Sequence, residues 1–213
     1  MKRLLTLCAC AVLSACATGA GGGGSDQAPR SILAEDPAPS TASAAPAADA
    51  PPGQTYSSEE LAREASKFFG ANSENLALAI ERAVSDYGRP VGYIYGNEGG
   101  GAVVVGLRFG EGVLQYKGGG SMKVFWQGPS IGWDFGGSAS KVFTLVYNLE
   151  DTSQLFQRFP AVDGSLYVVA GMSLNYQRSG DIVLAPIRTG VGLRAGASLG
   201  YIHYTRERSF LPL

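Results

Sequence analysis

The chain has 213 residues, 30 of them glycine, and a formal net charge of −1. Near-neutrality leaves no electrostatic footprint for nucleic acid, and the three cysteines, Cys8, Cys10 and Cys16, leave the rest of the chain without thiols. A disulfide framework and a cysteine-based metal site are therefore excluded there, and glycines scattered among Val, Ile, Tyr and Phe suit curved sheet rather than helix.

The first residues read as a targeting segment. Lys2 and Arg3 precede an apolar run, Leu4 to Leu13, that is too short to span a bilayer. It ends in Leu13-Ser14-Ala15-Cys16, which resembles the lipobox of bacterial lipoproteins. Residues 1–16 are then a signal peptide plus the cysteine whose thiol takes a diacylglycerol and becomes the new N-terminus. The rival reading is an ordinary secretory cleavage site, Ala15-Cys16-Ala17, which would release a soluble periplasmic protein. Ala17 is not a retention residue in lipoprotein sorting, so the expected place is the outer membrane, held by two or three acyl chains. Residues 17–55 are Ala-, Pro- and Gly-rich with almost no large apolar side chains, and read as a disordered tether reaching roughly 30–40 Å.

The folded part is expected over residues 56–213. Ser57-Ser58-Glu59-Glu60 has the form of a capping box, followed by Leu61, Ala65, Phe68 and Phe69 on one helical face and Gly70 as a stop. A second helix starts near Ser73, carries Leu76, Ile80, Ala83, Val84 and Tyr87 as its apolar stripe, and ends at Gly88 and Pro90. Both stripes need a surface to cover. Packing on the domain's own sheet is favoured over a membrane-surface role, because the polar faces are not rich in Lys and Arg.

From Val91 the helical period gives way to strand patterns: Val91–Tyr95, Ala102–Phe109, Gly112–Lys117, Met122–Gln127, Ile131–Phe135, Lys141–Asn148, Ser165–Arg178, Asp181–Arg188 and Gly190–Thr205. Phe109-Gly110-Glu111-Gly112 and Arg178-Ser179-Gly180-Asp181 read as hairpin turns, and residues 151–158 as a short helical detour. The stretch 126–137 holds both tryptophans and four glycines and reads as a tight connection between two strands. In Ser165–Arg178, Leu166, Val168, Ala170, Met172, Leu174 and Tyr176 share a buried face, opposite a wetter one with Ser165, Ser173, Asn175 and Gln177. The fold class is mainly β: a small antiparallel barrel preceded by two short amphipathic helices and a disordered tether.

Several phrases carry a family resemblance: Asp86-Tyr87-Gly88-Arg89-Pro90-Val91-Gly92-Tyr93, Val105 to Gly112, Trp126 to Gly137, Val162-Asp163-Gly164-Ser165 and Ala185 to Gly192. Together they resemble the EipA family of periplasmic envelope-integrity proteins of α-proteobacteria, over Ser57 to Leu213. The resemblance implies a small soluble periplasmic β-barrel with helices packed on it and a part in envelope homeostasis, without established catalysis. Family members can carry plain secretory signals, whereas this chain offers a lipobox, so what carries over is a periplasm-facing place. A fainter likeness to Gly-rich SYLF-type lipid-binding modules hints at a lipid ligand.

The catalytic candidates are weak. Gly128-Pro129-Ser130-Ile131-Gly132 matches G-x-S-x-G, but the residues after Ser130 are not helical, as a nucleophile elbow requires. His203 stands alone and reads as a hydrogen-bonded structural residue, and Gly190 to Ala195 lacks the βαβ context of a dinucleotide site. Neither a cofactor, a metal site nor a catalytic residue is assigned. The candidate ligand or structural motif comprises Trp126, Gly128, Trp133, Asp134, Gly136 and Gly137 with Arg108, Arg188 and Arg194, whose guanidiniums pair with carboxylates such as Glu98 or Glu111 or face an acidic head group in the barrel. The expected function is a non-enzymatic lipoprotein that binds a lipid or other envelope component. The alternatives are a scaffold recruiting envelope-assembly proteins and, remotely, a serine hydrolase using Ser130. The expected partners are the membrane, through the anchor, and a lipid ligand or envelope proteins, with no nucleic acid and the oligomeric state left open.

Overall fold

The computed structural model describes residues 54–70, 74–169, 172–189 and 200–209, and at positions 101–105, 130–139, 169 and 189 the backbone alone. Cys16, the tether, Arg194 and the fingerprint at 190–195 lie outside the described residues.

Two helices come first, α1 (Ser58–Phe69) and α2 (Glu74–Tyr87). The capping box is formed: the Ser57 hydroxyl accepts from the Glu60 N–H, and the Glu60 carboxylate accepts from the Ser57 N–H at 2.9 Å. Gly70 ends α1 in the left-handed conformation. Leu61, Ala65, Leu76, Ile80 and Ala83 are completely buried, each large one contributing about 1.5–3 kcal/mol of apolar burial.

Eight strands then form one antiparallel sheet among the described residues: β1 (Gly92–Tyr116), β2 (Ser121–Tyr147), β3 (Arg158–Pro160), β4 (Tyr167–Val169), β5 (Met172–Leu174), β6 (Gln177–Ser179), β7 (Ile182–Thr189) and β8 (Tyr201–Thr205). β1 and β2 are a single long hairpin, paired from Gly92↔Val146 down to Gln115↔Ser121. Three sequence-based strands fuse into β1 and three into β2, and the expected turn at Phe109–Gly112 lies inside β1. The chain reverses instead at Lys117 to Gly120, where Gly119 and Gly120 take φ of 100° and 96°.

The stretch 126–137 is likewise a bend within β2 and not a connection between strands. Gly101 alone stands opposite Phe135, Gly136 and Gly137 where the register shifts, so the ladder carries a bulge there. Strands of 25 and 27 residues cannot stay flat in a small domain, and this hairpin folds in half. The two halves of β1 then meet face to face. A Cβ on Gly96 would stand 2.2 Å from the Glu111 carbonyl oxygen and 2.6 Å from the Gly112 Cα. Only glycine permits backbone to lie on backbone in this way. The glycines were read as turn formers because local sequence does not separate a reversal from a kink.

The first half of β2 pairs with β8 and the second half with β7, while β3 pairs with β8 and β5 and β6 both pair with β7. The bridge Ala161↔Gln177 joins the two flanks and curls the sheet into a barrel. The span read as one strand, Ser165–Arg178, turns back on itself: Tyr167–Val169 pairs with Met172–Leu174. Val168, expected in the core, is therefore 52 % exposed, whereas Asn175 and Gln177, expected on the wetter side, are buried. The short helical detour is a 3₁₀ turn, Thr152–Leu155, and the turn before Asp181 is a hairpin with Gly180 at φ 59°.

Strand parity sorts the core in two. Tyr93, Phe143, Leu145, Tyr147, Val183, Ala185 and Ile187 face outward and pack under α1 and α2. Ile94, Leu114, Val124, Val142, Val146, Phe159, Leu184 and Ile202 face inward and fill the barrel. Lys141 ties α1 to the sheet by donating to the Phe68 carbonyl at 2.8 Å, and Tyr176 ties α2 by donating to Asp86 at 2.6 Å.

Candidate functional site

The inward positions change character toward the end of the barrel where β7 leads into residues 190–199. Continuing Ile94 by twos along β1 gives Gly96 and Glu98, and continuing Leu184 along β7 gives Pro186 and Arg188. Antiparallel pairing through β2 brings these ends together. Arg188 Nε donates to Glu98 Oε1 at 3.1 Å, with the two side chains only 10 % and 8 % exposed. Trp126 Nε1 donates to the other carboxylate oxygen at 2.8 Å. Arg188 Nη1 donates to Asn175 Oδ1 at 2.8 Å. Arg108 is also buried, and its Nε and Nη2 both donate to the Pro129 carbonyl at 3.1 Å.

The electrostatics follow from that placement. Burial by itself would raise the Glu98 carboxyl, but the charges of Arg188 and Arg108 and the bonds from Trp126 and Arg188 outweigh it, so the group sits below the ordinary carboxylate range. Burial pulls Arg108 down to about 10 against the opposing attraction of Glu98, which leaves it charged at neutral pH. Burial pushes Tyr204 up to about 12. Among the described residues one polar atom in the cluster is unsatisfied: Asn175, 2 % exposed, has no partner for Nδ2.

The sequence candidates fall into three groups. Trp126, Arg108 and Arg188 converge on this cluster. Trp126 is a wall of the cluster and lies over Gly110, where a Cβ would come within 2.0 Å of the ring. Gly128 stands beside it for a different reason, since a Cβ there would meet the Tyr201 carbonyl oxygen at 2.2 Å. Trp133, Asp134, Gly136 and Gly137 follow along β2 in backbone only, and Ser130 sits in mid-strand, with no strand-to-helix elbow around it. Of the carboxylates named as partners, Glu98 takes Arg188, while Glu111 faces outward and takes Lys123 and Arg208. His203 pairs in β8 with Gln127 and Arg158; its Nδ1 is buried without a partner among the described residues, and burial lowers its pKa. Asn175 was missed because its stretch was read as one continuous strand.

An open cleft of about 500 Å³ lies at the other end of β7, between the β6–β7 turn and the loop that follows β2. Its amides serve to build it. Asn148, at φ 56°, donates to the Asp181 carbonyl, Gln154 caps the 3₁₀ turn, and Gln157 accepts from Ser179.

Among the described residues no helix is long and apolar enough to cross a membrane, a statement that leaves strands aside. No individually curated protein matches the chain. A solved structure does: the crystal structure of a β-barrel-like protein from Brucella abortus is 47 % identical, with a TM-score of 0.69 over 75 % of this chain and 99 % of that one. The family model for envelope integrity protein A matches residues 54–213. A match over that span, on a helix-flanked antiparallel barrel, shows that the chain belongs to the EipA (envelope integrity protein A) family.

Proposed function

We propose that the chain is a non-enzymatic envelope protein, tethered to the outer membrane through a diacylated Cys16, that binds an envelope component at the polar end of its barrel. Family membership supports the envelope role. The observation that carries the binding reading is the buried Glu98–Arg188–Trp126–Asn175 cluster, which holds an unsatisfied donor at the end of an otherwise filled interior. The filled interior argues against an acyl chain lying inside the described part of the barrel, because Ile94, Leu114, Val124, Val142 and Ile202 already occupy it. A lipid would be gripped by its head group.

Scaffolding is the second reading. The same filled core favours it, since a solid barrel offers its outer face to proteins. Native mass spectrometry of the full chain extracted from membranes tests the choice. The expected result is a co-purifying envelope molecule that is lost in Arg188→Gln. An empty protein that crosslinks to envelope proteins would move the case to the scaffold. Cys16→Ala is expected to release the chain from the membrane fraction; continued sedimentation with membranes would remove the anchor from the reading.

A further inference from the structure

The binding reading above leaves the ligand open, and the donors at the polar end narrow it. The Arg188 guanidinium is held on two sides: Glu98 takes Nε and Asn175 Oδ1 takes Nη1. Its Nη2 has no protein acceptor among the described residues. The guanidinium also fixes the neighbouring amide. Nη1 can only donate, so the Asn175 oxygen must face it, and the free atom of that amide is a donor, Nδ2. Ser173 is the register partner of Arg188, and Asn175 follows it by two residues, so the two side chains are diagonal neighbours on one face. Both carboxylate oxygens of Glu98 are engaged, by Arg188 and Trp126.

We propose that Arg188 Nη2 and Asn175 Nδ2 form a two-donor seat for a phosphate-type oxyanion, with Glu98 as the positioning residue that holds the guanidinium in place. One donor is charged and slightly exposed, the other neutral and enclosed, and neither has a protein acceptor among the described residues. An oxyanion supplies two acceptor oxygens at the spacing of adjacent N–H groups, whereas a neutral carbonyl would satisfy one donor and leave the other bare. Arg188 is the slightly exposed member of the pair, so the anion meets its guanidinium first and reaches the enclosed Asn175 amide by displacing the side chains around it. The same group can arrive as a free phosphate ion or as the diester of a phospholipid head group.

The test uses the ¹⁵N-labelled Cys16→Ser chain purified from the periplasm, titrated with inorganic phosphate and, separately, with monomeric short-chain phosphatidylglycerol. Saturable shifts of the Asn175 side-chain amide and the Trp126 indole N–H are expected. Asn175→Asp keeps an acceptor for Arg188 Nη1 and so keeps the fold, but sets a carboxylate where the oxyanion would lie. Its melting temperature should hold while binding weakens by more than about tenfold. Tighter binding of phosphatidylglycerol than of phosphate assigns the seat to a head group, and equal binding assigns it to the bare ion. No shift at Asn175 with either probe at millimolar concentrations, or undiminished binding by Asn175→Asp, overturns the seat. In that event native mass spectrometry still decides the broader reading: a retained envelope molecule preserves it and an empty protein removes it.

Discussion

Glu98 is the residue on which the barrel end depends. It compensates a buried guanidinium and accepts the indole N–H of Trp126, so removing its charge leaves Arg188 uncompensated in a dry setting. Glu98→Ala is expected to cost about 3–5 kcal/mol in chemical denaturation. Tyr147 is the opposite case. Its hydroxyl is buried under α2 without a partner among the described residues, so Tyr147→Phe should leave the domain as stable or raise its stability by about 1 kcal/mol. At this scale the sequence told residue type but not geometry. Arg188 and Glu98 were legible as a buried charge and a carboxylate that could meet. Asn175 was not, because assigning it to a face requires knowing that Tyr167–Val169 and Met172–Leu174 are antiparallel partners and not one strand.

Elements were legible in proportion to how local their determinants are. The capping box of α1 is written in four consecutive residues, and the structure forms it as read. Ser57→Ala should cost about 1 kcal/mol by losing the cap, with the rest of the far-ultraviolet spectrum unchanged. The strands of the long hairpin were located correctly as β but divided wrongly. Phe109-Gly110-Glu111-Gly112 has the composition of a turn, and what overrides it is a contact sixteen residues away, Gly96 against Gly112. Gly96→Ala is therefore expected to cost about 3 kcal/mol or more, since the obstacle is backbone that cannot swing aside. Gly99→Ala, where a Cβ would meet nothing within 4 Å, serves as the tolerant control in the same melts.

At the largest scale, the described residues form a barrel with two cores, one inside the sheet and one between sheet and helices. The fold class was legible because alternation and glycine spacing both demanded a curved sheet, and the family phrases agreed. Titratable groups buried in both cores give stability a defined pH window. Glu98 has a folded pKa below its unfolded value, so its contribution is present above the unfolded carboxylate range and is lost as pH falls through the folded value. Tyr204 is raised from 10 to about 12, so its contribution is complete below pH 10 and disappears as pH climbs from there through about 12. Tyr93, Tyr147 and Tyr176 shift in the same direction, chiefly through burial. Melting temperature against pH should form a plateau with an acid and an alkaline limb, and Glu98→Gln should lower the plateau and shrink the acid limb, leaving the position of the alkaline limb unchanged.

The seam where β1 lies on itself also carries a kinetic corollary. The β1–β2 ladder can zip outward from the Gly118–Gly120 reversal through nearest-neighbour steps, so it assembles as an almost local structure. Gly96 reaches Gly112 only once that ribbon has doubled over, which makes shutting the seam a late event on the route to the native state. Gly96→Ala should then speed unfolding far more than it slows refolding in stopped-flow chevrons, and a mainly slowed refolding arm would place the doubling before the zipping.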